Sequence, residues 1–170
     1  MTATVVLIGA PGAGKTRTGK RVAKALGIPH IDTDKAFVET HGPIAEFFTT
    51  NGEAEFRRIE RELVAAALLR DAVVSLGGGA VLDPDTQALL DGHVIVQLTS
   101  TPDAIRERIA LEPGEAAKRP LLAGGGVEAW TALVEARRPI YDRLATVTID
   151  TSHRTMESVA EEVVAWLRNR

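Results

Sequence analysis

Short apolar runs alternate along the chain with longer stretches in which apolar residues recur every three or four positions. The short runs are rich in β-branched residues, which is typical of strands buried in a parallel sheet, and the longer stretches are typical of helices that cover such a sheet. Alternation of this kind indicates βαβ units with right-handed crossovers. The pattern therefore predicts an α/β fold with strands at Val5–Ile8, His30-Ile31, Val73–Leu76, Val94–Leu98 and Val147–Ile149.

Capping residues mark where several of the helices begin and end. Asp83 can cap a helix whose first turn contains Pro84, and Gly92 suits the position after its end. Thr101-Pro102 repeats the start signal, and Thr155 can cap a last helix whose apolar stripe indicates core packing. These helices fall between the predicted strands or after the last one, as the α/β prediction requires.

Two segments interrupt the alternation. Residues 35–70 form a long, mostly helical insertion between the second and third strands, and residues 111–126 are rich in glycine and proline. We interpret residues 111–126 as a lid, because long loops in phosphoryl-transfer enzymes often exclude water from the site; the alternative is a flexible connector. Residues 1–34, 71–110 and 127–170 are then the core of a single domain.

Composition narrows the class of protein. The chain has 170 residues, of which 45% are hydrophobic and 25% charged, as in an ordinary soluble domain. It contains no cysteine, which excludes disulfides and thiolate chemistry. A net charge of −3 argues against general nucleic-acid binding, and no apolar run approaches the length of a membrane span. Since no signal peptide is visible, we expect a cytoplasmic enzyme.

The most informative motif follows the first predicted strand. Residues 9–16 match the pattern G-x-x-x-x-G-K-[ST], and a helix is predicted directly after them, over Thr18–Leu26. In such a phosphate-binding loop, or P-loop, glycines let backbone N–H groups point at phosphate oxygens. Lys15 can reach the β- and γ-phosphates, and the Thr16 hydroxyl can bind Mg²⁺. A glycine-rich turn without a ligand is the alternative, and this strand–loop–helix setting disfavours it.

Two acidic residues follow the second predicted strand, at Asp32 and Asp34. The carboxyl ends of the strands in an open α/β sheet face the ligand crevice. One acid there can hold Mg²⁺ through water, while the other accepts a proton from a hydroxyl group. The alternative is that the pair caps a helix, with Asp34 opening it, and capping is compatible with catalysis.

Arg57 lies on a predicted helix of the insertion, beside Arg58 and Glu62, which are spaced for a surface ion pair. An arginine aimed into a cleft can bind a carboxylate through two parallel hydrogen bonds. From spacing alone, however, a solvated helix face is the favoured interpretation of Arg57.

Four further features bear on the interpretation. The glycine triplet Gly77-Gly78-Gly79 follows the third strand and favours a ligand-facing role over a plain tight turn. Arg119, within the lid segment, could swing over a transferred phosphoryl group. We interpret Trp130 as packing rather than as a stacking platform. None of the four histidines shows a metal-ligand pattern, and we interpret each as a surface or turn residue.

Together these motifs resemble the shikimate kinases, which have the nucleoside-monophosphate-kinase-like P-loop fold. The P-loop alone would not identify the family, but the combination is highly specific. The matching motifs occur in family order and span almost the whole chain, at Gly9–Thr16, Asp32–Asp34, Phe56–Glu60, Gly77–Ala80, Arg119–Leu122 and Arg137–Tyr141.

The resemblance implies a fold and an activity. The fold is a three-layer α/β domain in which helices flank a five-stranded parallel sheet, with a helical substrate-binding insertion and a lid. The activity is ATP-dependent phosphorylation of the 3-hydroxyl of shikimate, in the route to chorismate and the aromatic amino acids. ATP is then a co-substrate and Mg²⁺ a cofactor. A monomer without nucleic-acid or membrane partners is expected.

The resemblance also implies which residues bind the acceptor. Arg57 and Arg137 would bind the carboxylate of shikimate, which reverses the preference drawn from spacing. Asp34 would bind the ring hydroxyls and act as the base, and Gly78 and Gly79 would complete the acceptor site.

For the donor side, the resemblance implies that Thr16 binds Mg²⁺ directly and Asp32 binds it through water. Lys15 and Arg119 would be catalytic, through charge stabilisation on the transferred group. The ATP-binding residues would be Gly12, Ala13, Gly14, Lys15, Thr16, Arg17, Arg108, Arg119 and Arg154.

Other functions remain open at this point. The nearest is a P-loop kinase for another small polyol acid, such as gluconate. A P-loop binding or regulatory module would bind nucleotide without a small-molecule acceptor, which the paired acids, the glycine triplet and the lid arginine argue against. A nucleoside monophosphate kinase is disfavoured, because nothing in the insertion is suited to reading a base.

Overall fold

A computed structural model describes residues 4–111 and 120–170 of the chain. Five strands form one sheet in the order β2-β3-β1-β4-β5, and every adjacent pair is parallel. The predicted five-stranded parallel sheet is therefore confirmed. The strands are β1 (Val5–Gly9), β2 (His30–Asp32), β3 (Val73–Ser75), β4 (Val94–Thr99) and β5 (Val147–Asp150).

Helices connect the strands and cover the sheet. Residues 80–82 form a single 3₁₀ turn after β3. The predicted caps are confirmed at Asp83, Thr101 and Thr155, whose side chains accept hydrogen bonds from backbone N–H groups two or three residues later. The helices are α1 (Lys15–Leu26), α2 (Thr33–His41), α3 (Ile44–Asn51), α4 (Glu53–Leu68), α5 (Pro84–Leu89), α6 (Pro102–Leu111), α7 (Pro120–Leu144) and α8 (Met156–Arg168).

The core lies on both faces of the sheet, because successive residues of a strand point to opposite faces. Val5 and Leu7 of β1 pack with apolar residues of α1 and α8, whereas Val6 and Ile8 pack on the other face with residues of α4 and α7. All four side chains are buried. The domain therefore has three layers, with helices on each side of the central sheet.

The helical insertion has a small core of its own. Phe37 of α2 packs edge-on against Phe47 of α3 and Phe56 of α4, and Phe48 packs against Phe56 as well. These ring contacts hold α2, α3 and α4 to one another. The backbone of α4 therefore has a fixed position from which its side chains extend toward the sheet.

The structure differs from the predictions at the start of α1, at the start of α7 and at His30, and each strand ends one residue away from its predicted end. Helix α1 begins at Lys15 rather than Thr18, since Gly14 of the P-loop is its N-cap residue. Helical backbone begins at Pro120, inside the segment predicted as a loop, because proline suits the first helical turn; a non-helical residue, Gly126, interrupts it. His30 is half-buried on β2, so its prediction as a surface or turn residue is wrong.

The predicted lid is described only in part. Residues 112–119, which include Arg119, lie outside the described residues. Among the helices that are described, none is long and apolar enough to cross a membrane.

Candidate functional site

The P-loop joins the end of β1 to the start of α1. Gly14 has a φ of 96°, in the left-handed region that favours glycine. A Cβ at this position would also overlap the sulfur of Met156. The turn into α1 therefore needs glycine for both its backbone conformation and its close packing, as the motif predicted.

Carbonyl groups of the P-loop are held by hydrogen bonds from surrounding elements. The bonds run from Trp130 Nε1 to Pro11 O (2.7 Å), from Arg108 Nη1 to Gly12 O (2.8 Å), from Thr151 Oγ1 to Ala13 O (2.9 Å) and from Ser75 Oγ to Lys15 O (3.0 Å). These donors come from α7, α6, the residue after β5, and β3. Because several parts of the fold restrain the loop, its shape is set before any ligand binds.

Lys15 and Thr16 extend the P-loop toward the acidic residues. The Lys15 ammonium donates to the carbonyls of Gly9 (2.7 Å) and Ala10 (3.0 Å). The Thr16 hydroxyl donates to Asp32 Oδ2 at 2.6 Å. Thr16 and Asp32, which the sequence predicts to hold Mg²⁺, therefore lie side by side.

Asp32, rather than Asp34, caps helix α2. Its Oδ1 accepts a hydrogen bond from the backbone N–H of Lys35 at 3.1 Å. The alternative in which Asp34 opens this helix is therefore wrong, because Asp34 already lies in its first turn. Asp34 lines the cavity, and Asp32 caps the helix.

The carboxyl group of Asp34 sits against the glycine triplet, where a Cβ on Gly77 would overlap it. Burial raises the pKa of Asp34, and the charge of Asp32 raises this pKa further. The positive charges of Lys15 and Arg57 oppose the increase. A carboxyl group with a raised pKa is a better proton acceptor once it is ionised, which suits a general base.

The other two members of the glycine triplet lie beside the two arginines. A Cβ on Gly79 would overlap the guanidinium of Arg57, and one on Gly78 would lie 3.4 Å from Arg137 Nη1. The three glycines thus allow one carboxylate and two guanidinium groups to approach the end of β3. The structure brings together the residues that sequence reasoning had assigned to an acceptor.

Arg57 is held in this orientation by Glu60. Arg57 Nη1 donates to Glu60 Oε1 at 2.7 Å, and the side chains of Arg57 and Glu60 are 19% and 4% exposed. Burial raises the pKa of Glu60, while the charge of Arg57 opposes this increase. By contrast, Arg58 is 48% exposed and pairs with Glu62, as its spacing predicted, and also with Glu55. The solvated-face interpretation therefore holds for Arg58 and fails for Arg57.

One cavity of about 470 Å³ links the P-loop to Asp34 and Gly78. It runs from Asp34 and Gly78 along the P-loop to Arg154 and Met156. Its other polar lining residues include Gly12, Gly14, Lys15, Thr16, Arg17, Asp32 and Arg108. The cavity is therefore continuous from the acidic residues to the far side of the phosphate-binding loop.

Arg108 and Arg154 line the far end of the cavity and are also bound to the protein. Besides Gly12, Arg108 donates to the carbonyl of Thr151 at 2.5 Å. Arg154 Nη1 donates to Glu162 Oε2 at 2.6 Å and to the carbonyl of Asp150 at 3.1 Å. Both guanidinium groups thus have fixed positions at the end of β5.

Within residues 4–111 and 120–170 there is no group of three or more histidine, aspartate or glutamate side chains that could hold a metal ion. Thr16 and Asp32 offer two oxygen-bearing side chains beside the P-loop. Such a sparse set suits Mg²⁺, which usually keeps several waters and takes its other ligands from one or two carboxylates and from phosphate groups.

Sequence reasoning missed several residues that shape the site. Trp130 was expected only to pack, and Tyr141, Ser75, Thr151 and Glu60 were given no individual role. Their partners are backbone carbonyls or side chains supplied by the folded site. For Glu60 alone a local signal existed, since it lies three residues after Arg57 on the same helix.

Comparisons with known proteins show which family this chain is similar to. A sequence profile described as shikimate kinase matches residues 11–168. The shikimate kinase of Mycobacterium avium (strain 104) is 46% identical over 171 residues, covering 98% of this chain and 94% of that protein. The structure of a shikimate kinase from Acinetobacter baumannii in complex with shikimate matches with a TM-score of 0.89 at 26% identity, covering 99% of this chain and 94% of that one.

A more distant likeness concerns the fold alone. The structure of a gluconokinase from Sinorhizobium meliloti 1021 matches with a TM-score of 0.66 at 18% identity, covering 99% of this chain and 93% of that one. The three-layer architecture is therefore shared with a kinase for a different small molecule, and the acceptor must be inferred from the site.

Proposed function

The chain belongs to the shikimate kinase family, and we infer that it transfers the γ-phosphoryl group of ATP to the 3-hydroxyl of shikimate. One observation carries this inference. A single cavity joins the P-loop to Asp34, and two arginines lie beside it against the glycine triplet. The site therefore has a place for a phosphoryl donor and, next to it, a place for a small acid with hydroxyl groups.

In the acceptor half, we propose that Arg57 and Arg137 bind the carboxylate of shikimate. Two guanidinium groups offer parallel N–H donors that match a carboxylate in geometry and charge. Backbone groups of Gly78 and Gly79 would face the ring, because the absence of side chains there permits close approach. The helical insertion, residues 35–70, would serve as the substrate-binding module since it supplies Arg57.

Asp34 would orient the 3-hydroxyl and accept its proton. The hydroxyl oxygen would form a bond to the γ-phosphorus, the bond between this phosphorus and the β,γ-bridging oxygen would break, and ADP would leave. Positioning and electrostatic stabilisation would supply most of the rate enhancement.

In the donor half, P-loop residues Gly12, Ala13 and Gly14 would bind the phosphates through their backbone. Lys15 would stabilise charge on the transferred group, and Arg119 would do so from the proposed lid. Arg17, Arg108 and Arg154 would complete the ATP site, with Arg108 and Arg154 nearest the base. The cavity supports this arrangement, since Arg17, Arg108 and Arg154 line it on the P-loop side.

Mg²⁺ fits the Thr16 and Asp32 pair, and when bound with ATP it would offset the negative charge of the phosphates. We expect Asp32→Asn to raise the Mg²⁺ concentration needed for half-maximal activity by about tenfold or more. Residues that hold a metal through water contribute roughly this much to metal affinity. Asparagine can still cap α2, so the fold should be unaffected. The measurement is Mg²⁺-dependent ADP binding by calorimetry, alongside the Mg²⁺ concentration for half-maximal activity. An unchanged Mg²⁺ dependence would remove Asp32 from the metal site.

The function itself is tested with purified protein, MgATP and shikimate in a coupled assay for ADP. We expect shikimate-dependent ADP release and a product with the mass of shikimate 3-phosphate, formed in equal amounts. Gluconate in place of shikimate should give little ADP. Release that requires gluconate would instead indicate the other kinase, and release independent of any acceptor would indicate a nucleotide-binding or regulatory module.

We further propose that the enzyme acts as a monomer in the cytoplasm, without nucleic-acid or membrane partners. The net charge of −3 and the family resemblance support this proposal. Light scattering coupled to gel filtration would measure the oligomeric state.

A further inference from the structure

One face of helix α7 reaches both halves of the site. Trp130, Val134, Arg137 and Tyr141 are separated by four, three and four residues, the spacing that aligns side chains along a single helix face. Trp130 lies at the P-loop end of this face, and Arg137 and Tyr141 lie at the glycine-triplet end. The face therefore spans the distance between the donor loop and the acceptor loop.

Trp130 fixes the donor end. Its side chain is 1% exposed and packs with Ala10 of the P-loop and with Ile105 of α6. Its indole N–H donates to the Pro11 carbonyl at 2.7 Å. The indole ring has a single N–H donor, so this one bond fixes the position of the Pro11 carbonyl relative to Trp130.

Tyr141 fixes the acceptor end. Its side chain is 2% exposed, and its hydroxyl donates to the Gly78 carbonyl at 2.6 Å. Burial raises the pKa of Tyr141, so the hydroxyl stays protonated at neutral pH and remains a donor. The charge of Arg137 opposes this increase, and Arg137, like the Tyr141 hydroxyl, lies beside Gly78. Tyr141 therefore contacts one element of the acceptor site directly and lies close to a second.

The two carbonyls belong to loops that touch each other. A Cβ on Gly78 would lie only 3.2 Å from Pro11 Cδ, so the P-loop and the glycine triplet are in near-contact at the residues that α7 holds. A small shift of either loop would change the separation between the phosphoryl donor and the hydroxyl acceptor. Misplacement of about 1 Å at such a point can lower a rate by about 10²-fold.

We propose that Trp130 and Tyr141 are positioning residues that, from one face of α7, hold the carbonyls of Pro11 and Gly78 and so set the spacing between donor and acceptor. The inference rests on the proposed function, since it concerns the geometry of that reaction. Neither side chain needs to touch a substrate. Substituting Trp130 should therefore change mainly the KM for ATP, and substituting Tyr141 mainly the KM for shikimate, because each residue holds a different loop.

The test compares Trp130→Phe and Tyr141→Phe, which remove the donors and keep aromatic bulk. Tyr141→Phe should raise the KM for shikimate about 5- to 50-fold and leave the KM for ATP within about twofold, because a buried carbonyl loses its donor at the acceptor loop only. Trp130→Phe should instead raise the KM for ATP and leave the KM for shikimate within about twofold. Each variant should also lower kcat, because the spacing between donor and acceptor changes, and in the double variant these losses should be less than multiplicative, because the loops are in contact.

Controls separate positioning from general stability. Thr131→Val removes a hydroxyl on α7 that bonds only within the helix, to the Val127 carbonyl, and Trp166→Phe alters the other tryptophan, on α8. Both should retain wild-type constants. Should Trp130→Phe fold poorly, incorporation of β-(3-benzothienyl)alanine at position 130 replaces only the N–H by sulfur.

Two outcomes would overturn the proposal. One is that both aromatic variants keep wild-type constants, and the other is that each raises both KM values in parallel with its loss of thermal stability. Inactive wild-type protein would refute the proposed function instead, so the two failures are distinguishable.

Discussion

Asp34→Asn should lower kcat by about 10²- to 10⁴-fold, the usual contribution of a general base, and leave ADP binding unchanged. The amide retains the size of the carboxyl group, so it still fits against Gly77, where a Cβ would overlap it. It loses the ability to accept the proton of the attacking hydroxyl. The measurements are steady-state turnover and nucleotide affinity by calorimetry on the same preparation.

The raised pKa of Asp34 gives this prediction a second readout. The ionised form is the active one, so wild-type kcat/KM should rise with pH through a value above the ordinary 3.8 of aspartate, and Asp34→Asn should lack this limb. Because the folded pKa exceeds the unfolded one, the contribution of this carboxyl group to stability is fully present below the unfolded pKa and is lost as pH rises through the folded pKa. At neutral pH the variant should therefore be more stable than the wild type.

A matched control is Asp103→Asn, which alters an exposed acid of α6 that pairs with Arg106. It should change neither turnover nor stability appreciably, since exposed ion pairs contribute little. Retention of more than about a tenth of wild-type kcat in Asp34→Asn would contradict a role for Asp34 as the base.

The parts of the fold that could be predicted are those specified by neighbouring residues. The cap at Thr155 involves only the N–H of Ser158, three residues later. The β-branched run of β1 is buried on both faces, and its composition predicts this without knowledge of the helices that cover it. For the same reason the P-loop motif predicted a glycine-dependent turn between β1 and α1, because its glycines, lysine and threonine lie within one turn of chain.

The orientation of Arg57 could not be read from spacing. Arg57 and Arg58 are adjacent on one helix, and spacing alone favoured a solvated face for both. What separates them is tertiary, since Arg57 turns toward Gly79 and pairs with Glu60, whose side chain is 4% exposed. A helix pattern indicates which residues are apolar, but it does not indicate which polar face another element will cover.

The residues that hold the site together were harder still to predict. Trp130 and its partner carbonyl at Pro11 are 119 residues apart, and Tyr141 and Gly78 are 63 residues apart. A backbone carbonyl carries no signature in the sequence, because every residue has one. Only the folded arrangement of α7 against the two loops identifies these bonds.

Arg57→Met should lower kcat/KM for shikimate by about 10²- to 10³-fold, while Arg58→Met on the same helix should leave it within about twofold. Methionine retains most of the aliphatic length of arginine and removes the guanidinium, so the loss would report the proposed bond to the substrate carboxylate. The KM for ATP should change little, since Arg57 lies beside the glycine triplet rather than the P-loop. Initial rates over a range of shikimate concentrations measure the effect.

Arg57→Met also leaves the carboxyl group of Glu60 buried without its partner, which should lower thermal stability and raise the pKa of Glu60 further. The double variant Arg57→Met/Glu60→Gln removes the unpaired charge, so it should recover stability without recovering activity. If activity returned together with stability, Arg57 would be acting through the packing of α4 and the glycine triplet. Continued loss of activity in a stable double variant would assign the effect to recognition of the acceptor's carboxylate.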